Sequence, residues 1–324
     1  MREIGGYFGL EKLIHKEYYS GLIALNTARN ALLYIMRARN IKKIYIPFYL
    51  CDSVSKMLDR EGLNYEYYHV KKNFMPDFSK KLNEREYLYI VNYYGIINNS
   101  KVHELSSLYG NKIILDNVQA FFQAPINGID TIYSCRKFFG VPDGAYLSSN
   151  VILDCELDTD KSSERMTHIL GRCEGRRASD YYADFKKSDE SYINLPLMKM
   201  SWLTSNLLGA VDYDRVKNIR EENYNVLASL LGDNNILSKF SPSLPAGPYA
   251  YPYYCEGGMT VKKKLAERKI YVATLWPYAL TCGDVTAEDY AANILPVPCD
   301  QRYNSDDMKY IAKELKKIVQ TERA

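Results

Sequence analysis

The sequence predicts an α/β fold: a mostly parallel central sheet in a large domain, followed by a smaller α+β C-terminal domain. Three observations carry this. Short apolar runs fit for buried strands alternate with segments of helical period from Arg29 to Ser148. The character of the chain changes near Tyr213, where a long amphipathic helix begins. At 324 residues the chain is also longer than one small domain requires. The expected division is 1–210, including an N-terminal arm 1–20, and 211–324.

The elements follow in order. Arg29–Arg39 has apolar residues at helical spacing, and Lys43–Pro47 is a short strand closed by proline. Ser53–Glu61 reads as a helix ended by Gly62, and Tyr65–Val70 as the next strand. Tyr87–Asn92 is a buried strand, Val102–Leu108 a helix capped by Gly110, and Lys112–Leu115 another buried strand. Thr131–Ser134 and Ala145–Ser148 complete the sheet. Ligands of such sheets bind beyond the carboxyl ends of the strands, which places Pro47, Asn92, Asp116 and Ser134 near one rim. In the second domain, Asp214–Leu231 is helical and Ser241–Gly258 is rich in proline and turns. Gly258 or Thr260 to Arg268 reads as a helix, Ile270–Ala273 as a strand, and Ser305 as the cap of a last helix.

Composition narrows the function classes. Hydrophobic residues make up 47% and charged residues 25%, so a sizeable core can form. The net charge is +3 with scattered basic residues, which argues against a nucleic-acid surface. No apolar run is long enough to cross a bilayer, and Met1–Ile14 does not read as a signal peptide; the expected location is the cytoplasm. Seven cysteines without a Cys-x-x-Cys pair, and four dispersed histidines (His15, His69, His103, His168), give neither a disulfide framework nor a metal site. The thirty tyrosines read mainly as compositional bias.

Three segments carry chemistry. Leu25–Leu33 (LNTARNALL) is a small-polar turn entering a helix, and helix N-termini suit phosphate, although a Thr or Asn there also simply caps. Lys112–Ala120 (KIILDNVQA) puts Asp116 at a strand end, where it either caps a turn or meets a cationic partner such as a protonated pyridine nitrogen. Ile132–Leu147 (IYSCRKFFGVPDGAYL) places Lys137 after Ser134, among the apolar residues Tyr133, Phe138, Phe139 and Val141 and next to Arg136. Burial and a neighbouring cation favour the neutral, nucleophilic amine.

The order of these segments resembles the DegT/DnrJ-like aminotransferases of fold type I, which aminate keto-sugars that are usually nucleotide-linked. The matching stretches are Thr27-Ala28-Arg29-Asn30-Ala31-Leu32, Pro47-Phe48-Tyr49-Leu50-Cys51, Leu115-Asp116-Asn117-Val118-Gln119-Ala120 and the lysine segment. Leu295-Pro296-Val297-Pro298, with Arg302 and Asp306, is similar to the family's closing strand and helix. The resemblance implies pyridoxal phosphate held through a Schiff base on Lys137, with Asp116 on the pyridinium nitrogen and Gln119 near the ring hydroxyl. It implies a phosphate cup of Ser134 and the backbone of Ala28, Arg29 and Asn30. An aromatic from the Pro47 turn would stack on the ring; the strict match is Cys51, and neighbouring Tyr49 is preferred. Tyr94 would face substrate. Two departures stand out: Ser134 and Lys137 are closer together than in the family pattern, and Arg29 replaces a threonine.

The implied activity is transfer of an amino group from a donor such as glutamate to a keto-sugar, in sugar and polysaccharide biosynthesis. A homodimer with sites at the interface is implied, and the basic segment Arg165–Arg177 is either a solvated face or a reach to the neighbour's phosphate. The alternatives are a relative with another reaction (a dehydratase or a regulatory protein) and a non-catalytic binding module on the same fold. No metal, nucleic acid or membrane partner is expected.

Overall fold

The computed structural model describes residues 6–14, 16–240 and 243–323. The start of the expected N-terminal arm (Met1–Gly5), His15 and the first two residues of the Ser241–Gly258 stretch lie outside them.

The first part of the chain runs β1 (Ile23–Leu25), α1 (Ala28–Ala38), β2 (Lys43–Pro47), α2 (Asp52–Arg60), β3 (Asn64–Val70), β4 (Pro76–Asp77), β5 (Glu86–Val91), α3 (Asn99–Tyr109), β6 (Ile113–Asp116), β7 (Asp130–Ser134) and β8 (Ala145–Ser148). Helices α4 (Thr167–Cys173), α5 (Tyr182–Ser191) and α6 (Trp202–Leu208) follow. The eight strands form one sheet in the order β1-β8-β7-β6-β5-β2-β3-β4. Strands β7, β6, β5, β2 and β3 are parallel, and β1, β8 and β4 pair antiparallel at the two flanks. The sheet is therefore mostly parallel, as expected. Chain order reverses between β2 and β5, which marks the switch point where such sheets form a cleft. Residues such as Ile44, Leu88 and Ile113 are fully buried, which is why these strands read as apolar runs.

The remainder contains α7 (Tyr213–Leu231), β9 (Tyr251–Tyr254), α8 (Gly258–Glu267), α9 (Val285–Asn293), β10 (Ile294–Val297) and α10 (Ser305–Arg323). Strands β9 and β10 pair antiparallel, and their apolar face shares a second core with α7, α8 and α10. On α10 the buried positions Met308, Ile311, Ala312, Leu315, Ile318 and Val319 recur at helical spacing.

Three expectations are corrected. Ile270–Ala273 is not a strand: Lys269 turns left-handed (φ 60°), and the Ile270 N–H returns to the Leu265 carbonyl, so Ile270 closes α8 and joins its core. The strand of that region lies instead inside the proline-rich stretch, at β9, where Pro252 faces Pro296. A two-stranded sheet tolerates both prolines because each strand has a free edge. The cap of α10 is Asn304, whose Oδ1 accepts from the N–H groups of Asp306 and Asp307, while Asp307 accepts from the Asn304 N–H.

Many tyrosines are packing residues. Tyr49, Tyr93, Phe74 and Tyr290 form one aromatic cluster, and Tyr19, Phe121, Tyr133 and Tyr146 another. Several satisfy their hydroxyls on backbone carbonyls, as Tyr93 does on Tyr49 (2.6 Å) and Tyr19 on Phe121 (2.5 Å).

Candidate active site

The carboxyl ends of β2, β6 and β7 deliver Pro47, Asp116 and Ser134 to one rim, with the start of α1 beside β7. Asp116 is the last residue of β6 and is buried. Its carboxylate accepts from the Tyr89 hydroxyl (2.7 Å) and the Val118 N–H (2.8 Å). Burial pushes the Asp116 carboxyl up to about 6, against these two hydrogen bonds and the charge of Lys137, which pull it down. Lys137 follows β7, the neighbour of the Asp116 strand, and its charge bears on Asp116.

The lysine turn is fixed by its own backbone. The Cys135 N–H bonds to the Gly144 carbonyl, and the Phe138 and Phe139 N–H groups return to the Cys135 carbonyl. Gly144 has φ +111°, and a Cβ there would lie 2.9 Å from Thr204 and 3.2 Å from Cys135, so only glycine fits. Asp143, beside it, accepts from the Ser201 N–H (2.8 Å) and hydroxyl (2.7 Å) and so ties the turn to the start of α6. The Phe138 carbonyl accepts from Gln301 Nε2 (2.7 Å) and Arg220 Nη2 (3.3 Å), so residues beyond Val211 grip the turn.

Lys137 itself is exposed, which corrects the expectation of an apolar surround. Phe138 and Phe139 point into the core and leave the lysine accessible. Its Nζ lies 6.0 Å from the centroid of the Tyr249 ring. The Arg136 guanidinium covers the Tyr192 ring at 3.5 Å and lies 3.5 Å from Asp189.

The other expected residues divide. Gln119 is buried, and its Oε1 accepts from the Tyr94 N–H (2.9 Å). Its NH2 group makes no hydrogen bond among the described residues. Ser134 is buried at the end of β7, and its hydroxyl likewise makes none among the described residues. Ala28 and Arg29 open α1, so their N–H groups have no intrahelical acceptor. Asn30 is corrected as a phosphate residue: its N–H is taken by Thr27 Oγ1 (3.2 Å), and its side chain bonds to Asn26 (2.9 Å) and the Pro196 carbonyl (2.7 Å). Cys51 is half-buried at the N-cap of α2.

Tyr49 and Tyr94 are corrected as rim residues. Tyr49 is 1% exposed, stacked on Tyr93 and edged by Trp276 and Tyr290. Tyr94, also 1% exposed, adopts a left-handed backbone (φ 55°), and its hydroxyl lies beside that of Tyr49 without a well-formed hydrogen bond. Neither ring has a face left open. Within the basic segment, Arg165 is buried and paired with Asp160 (2.6 Å), so it cannot reach outward. Sequence reasoning missed Tyr89, Arg220, Tyr249 and Gln301. Tyr89 had a faint signal, since β5 neighbours β6 and its residues pair with the Asp116 strand.

The group implied by the family resemblance fits these residues. A buried acid suits a pyridinium, an accessible amine suits a carbonyl, and Arg29 beside free helix N–H groups suits a phosphate. Among the described residues no helix is long and apolar enough to cross a membrane, and no group of metal-binding side chains occurs.

No family model and no curated protein matches the sequence. Solved structures do match. Spr1654 of Streptococcus pneumoniae in its PLP form aligns with a TM-score of 0.64 at 16% identity, over 92% of this chain and 87% of that one. PseC of Helicobacter pylori, an aminotransferase of pseudoaminic acid biosynthesis, aligns at 0.62 and 15%, over 92% and 86%. DesV of S. venezuelae, in complex with a ketimine intermediate, aligns at 0.63 and 15%, over 92% and 84%. This chain thus has, over nearly its whole length, the α/β fold of these aminotransferase structures.

Proposed function

We propose that this chain is a pyridoxal phosphate-dependent aminotransferase that moves an amino group from an amino acid such as glutamate to a keto-sugar. The observation that supports this most is the pairing of a buried Asp116 carboxylate with an accessible Lys137 amine at adjacent strand ends. The fold shared with Spr1654, which is described as a sugar aminotransferase, adds the substrate class as a proposal.

When bound, the cofactor supplies the electron sink. The protein's part is to bind, orient and move a proton. Asp116 would hold the ring nitrogen protonated, and ionisation of the acid becomes favourable once a cation replaces water beside it. Tyr89 keeps the carboxylate aimed. Gln119 has an uncommitted NH2 group for a ring oxygen. Lys137 would hold the cofactor covalently and, once displaced by the donor amine, take the α proton as general base. Its exposed side chain on a braced turn suits that double task, because the backbone stays fixed while the amine moves.

A homodimer is part of this reading. Tyr7, Phe8 and Ile14 are at least 87% exposed, and Trp202 on α6 is 81% exposed, in a region where the arm bonds to Asn206. Sedimentation of the protein as a single 37.4 kDa species would refute it.

The test of function is a half-reaction. Protein loaded with pyridoxal phosphate and mixed with excess glutamate should release one 2-oxoglutarate per chain in a single turnover. Release of none, from protein that has taken up the cofactor, would overturn the transaminase reading.

A further inference from the structure

We propose that Arg136 and Arg29 form a two-guanidinium cradle for the cofactor phosphate, taking the place of a serine-based cup. This rests on the pyridoxal phosphate reading above.

Several other arginines of this protein have an acidic partner. Arg39 pairs with Asp130 (2.5 Å), Arg165 with Asp160 (2.6 Å) and Arg302 with Asp300 (2.7 Å). Arg220 is held by the carbonyls of Pro248 and Phe138 and by Gln301. Arg29 differs. It is only partly exposed, yet its side chain makes no ion pair or hydrogen bond among the described residues. The first turn of α1 has no acidic residue to offset it. Burial lowers its pKa; Cys51 offsets this in part, and the neighbouring Arg136 lowers it further.

Arg136 stands two residues beyond Ser134, where the short Ser134–Lys137 turn puts it at the rim. The Tyr192 ring fixes its plane without using its N–H donors. The acid that faces both arginines, Asp189, is 65% exposed and 3.5 Å away, so solvent screens it. Arg60, the third cation nearby, is already engaged by Glu61 (3.1 Å) and the Ile193 carbonyl (2.9 Å). The Gly144 N–H bonds to the Asn26 carbonyl (2.7 Å) and the Cys135 N–H to the Gly144 carbonyl (3.0 Å), so the start of α1 lies beside the turn that carries Arg136, and two like charges share one screened acid there. A dianion with three acceptor oxygens offsets the repulsion and matches the planar forks. The Ser134 hydroxyl, by contrast, is a single neutral donor.

The test compares pyridoxal phosphate with pyridoxal, which lacks the phosphate, by titrating the Lys137 adduct on wild type, Arg136→Gln, Arg29→Gln and Arg136→Lys. Thermal shifts with inorganic phosphate are measured in parallel. Each glutamine variant should weaken pyridoxal phosphate by about tenfold or more, as expected for a lost charged hydrogen bond. Pyridoxal should be unaffected, and Arg136→Lys should fall between. Inorganic phosphate should raise the melting temperature of wild type and not of Arg136→Gln. Equal loss for both ligands, or no loss for either, overturns the cradle. An arginine-dependent phosphate shift without any adduct would sink the cofactor reading and keep the cradle as an anion site. Neither adduct nor shift overturns both.

Discussion

The two chemical groups at the centre of the cleft are built in opposite ways. Asp116 is locked into a strand end, buried and bonded from two sides. Lys137 sits exposed on a turn whose backbone, but not whose side chain, is held. The difference suits the roles proposed for them. A carboxylate that pairs with a buried cation gains from low dielectric and fixed geometry. An amine that both binds and relays a proton must move, so its rigidity is placed one bond back, in the backbone.

Mutations sharpen this comparison. Lys137→Ala should have the largest effect, at least about 10³-fold on the glutamate half-reaction, since it removes both the attachment and the base. Stopped-flow measurement of single turnovers checks it. If the rate fell only a fewfold, the amine would not be the relay.

Arg220→Met comes next, and acts on the brace instead of the chemistry. It removes the Arg220 hydrogen bonds to the Pro248 and Phe138 carbonyls and leaves Gln301 alone to hold Phe138. Stability should fall by about 3 kcal/mol, within the range for breaking a buried charged network. Urea unfolding measures this, and an unchanged midpoint would show that the turn does not depend on Arg220.

Asp116→Asn probes the other side. Because the folded carboxyl lies near 6, above its ordinary 3.8, the folded state holds the proton more tightly than the unfolded chain. Protein without cofactor should therefore lose stability as pH rises from about 4 to about 6, and then level off. The expected loss is about 3 kcal/mol. The asparagine variant should lack that component, while binding the cofactor more weakly. Equal pH slopes in the two proteins, followed by urea unfolding across that window, would contradict the buried-acid account.

Ser134→Ala should do least, below about threefold on cofactor affinity, because the hydroxyl makes no bond among the described residues. A tenfold loss would restore the serine to the phosphate site.

The same contrast explains what the sequence disclosed. Strands β2, β7 and β8 were legible because strands buried in the sheet read as apolar runs closed by turn residues. Strands β1 and β4 were not, having three and two residues. Strand β9 was hidden by prolines that disfavour central strands but suit a sheet of two edges. In the site, Asp116 was legible from its place after an apolar strand, and the accessibility of Lys137 was not. That depends on where Phe138 and Phe139 point and on a grip from Arg220 and Gln301, 82 and 163 residues away from Phe138. Tyr49 and Tyr94 looked like rim aromatics from their positions after β2 and β5, but Tyr93 and Trp276 pack on Tyr49, Phe74 edges Tyr94, and both are buried. Local pattern reveals strand ends; it does not reveal partners brought in by distant segments.

The most direct test of the central claim is to add pyridoxal phosphate to the purified protein, reduce with borohydride and map the modified peptide. The account predicts one modified residue per chain, Lys137. Modification of another lysine in its place, such as the buried Lys262 of α8, or none at all, would contradict it.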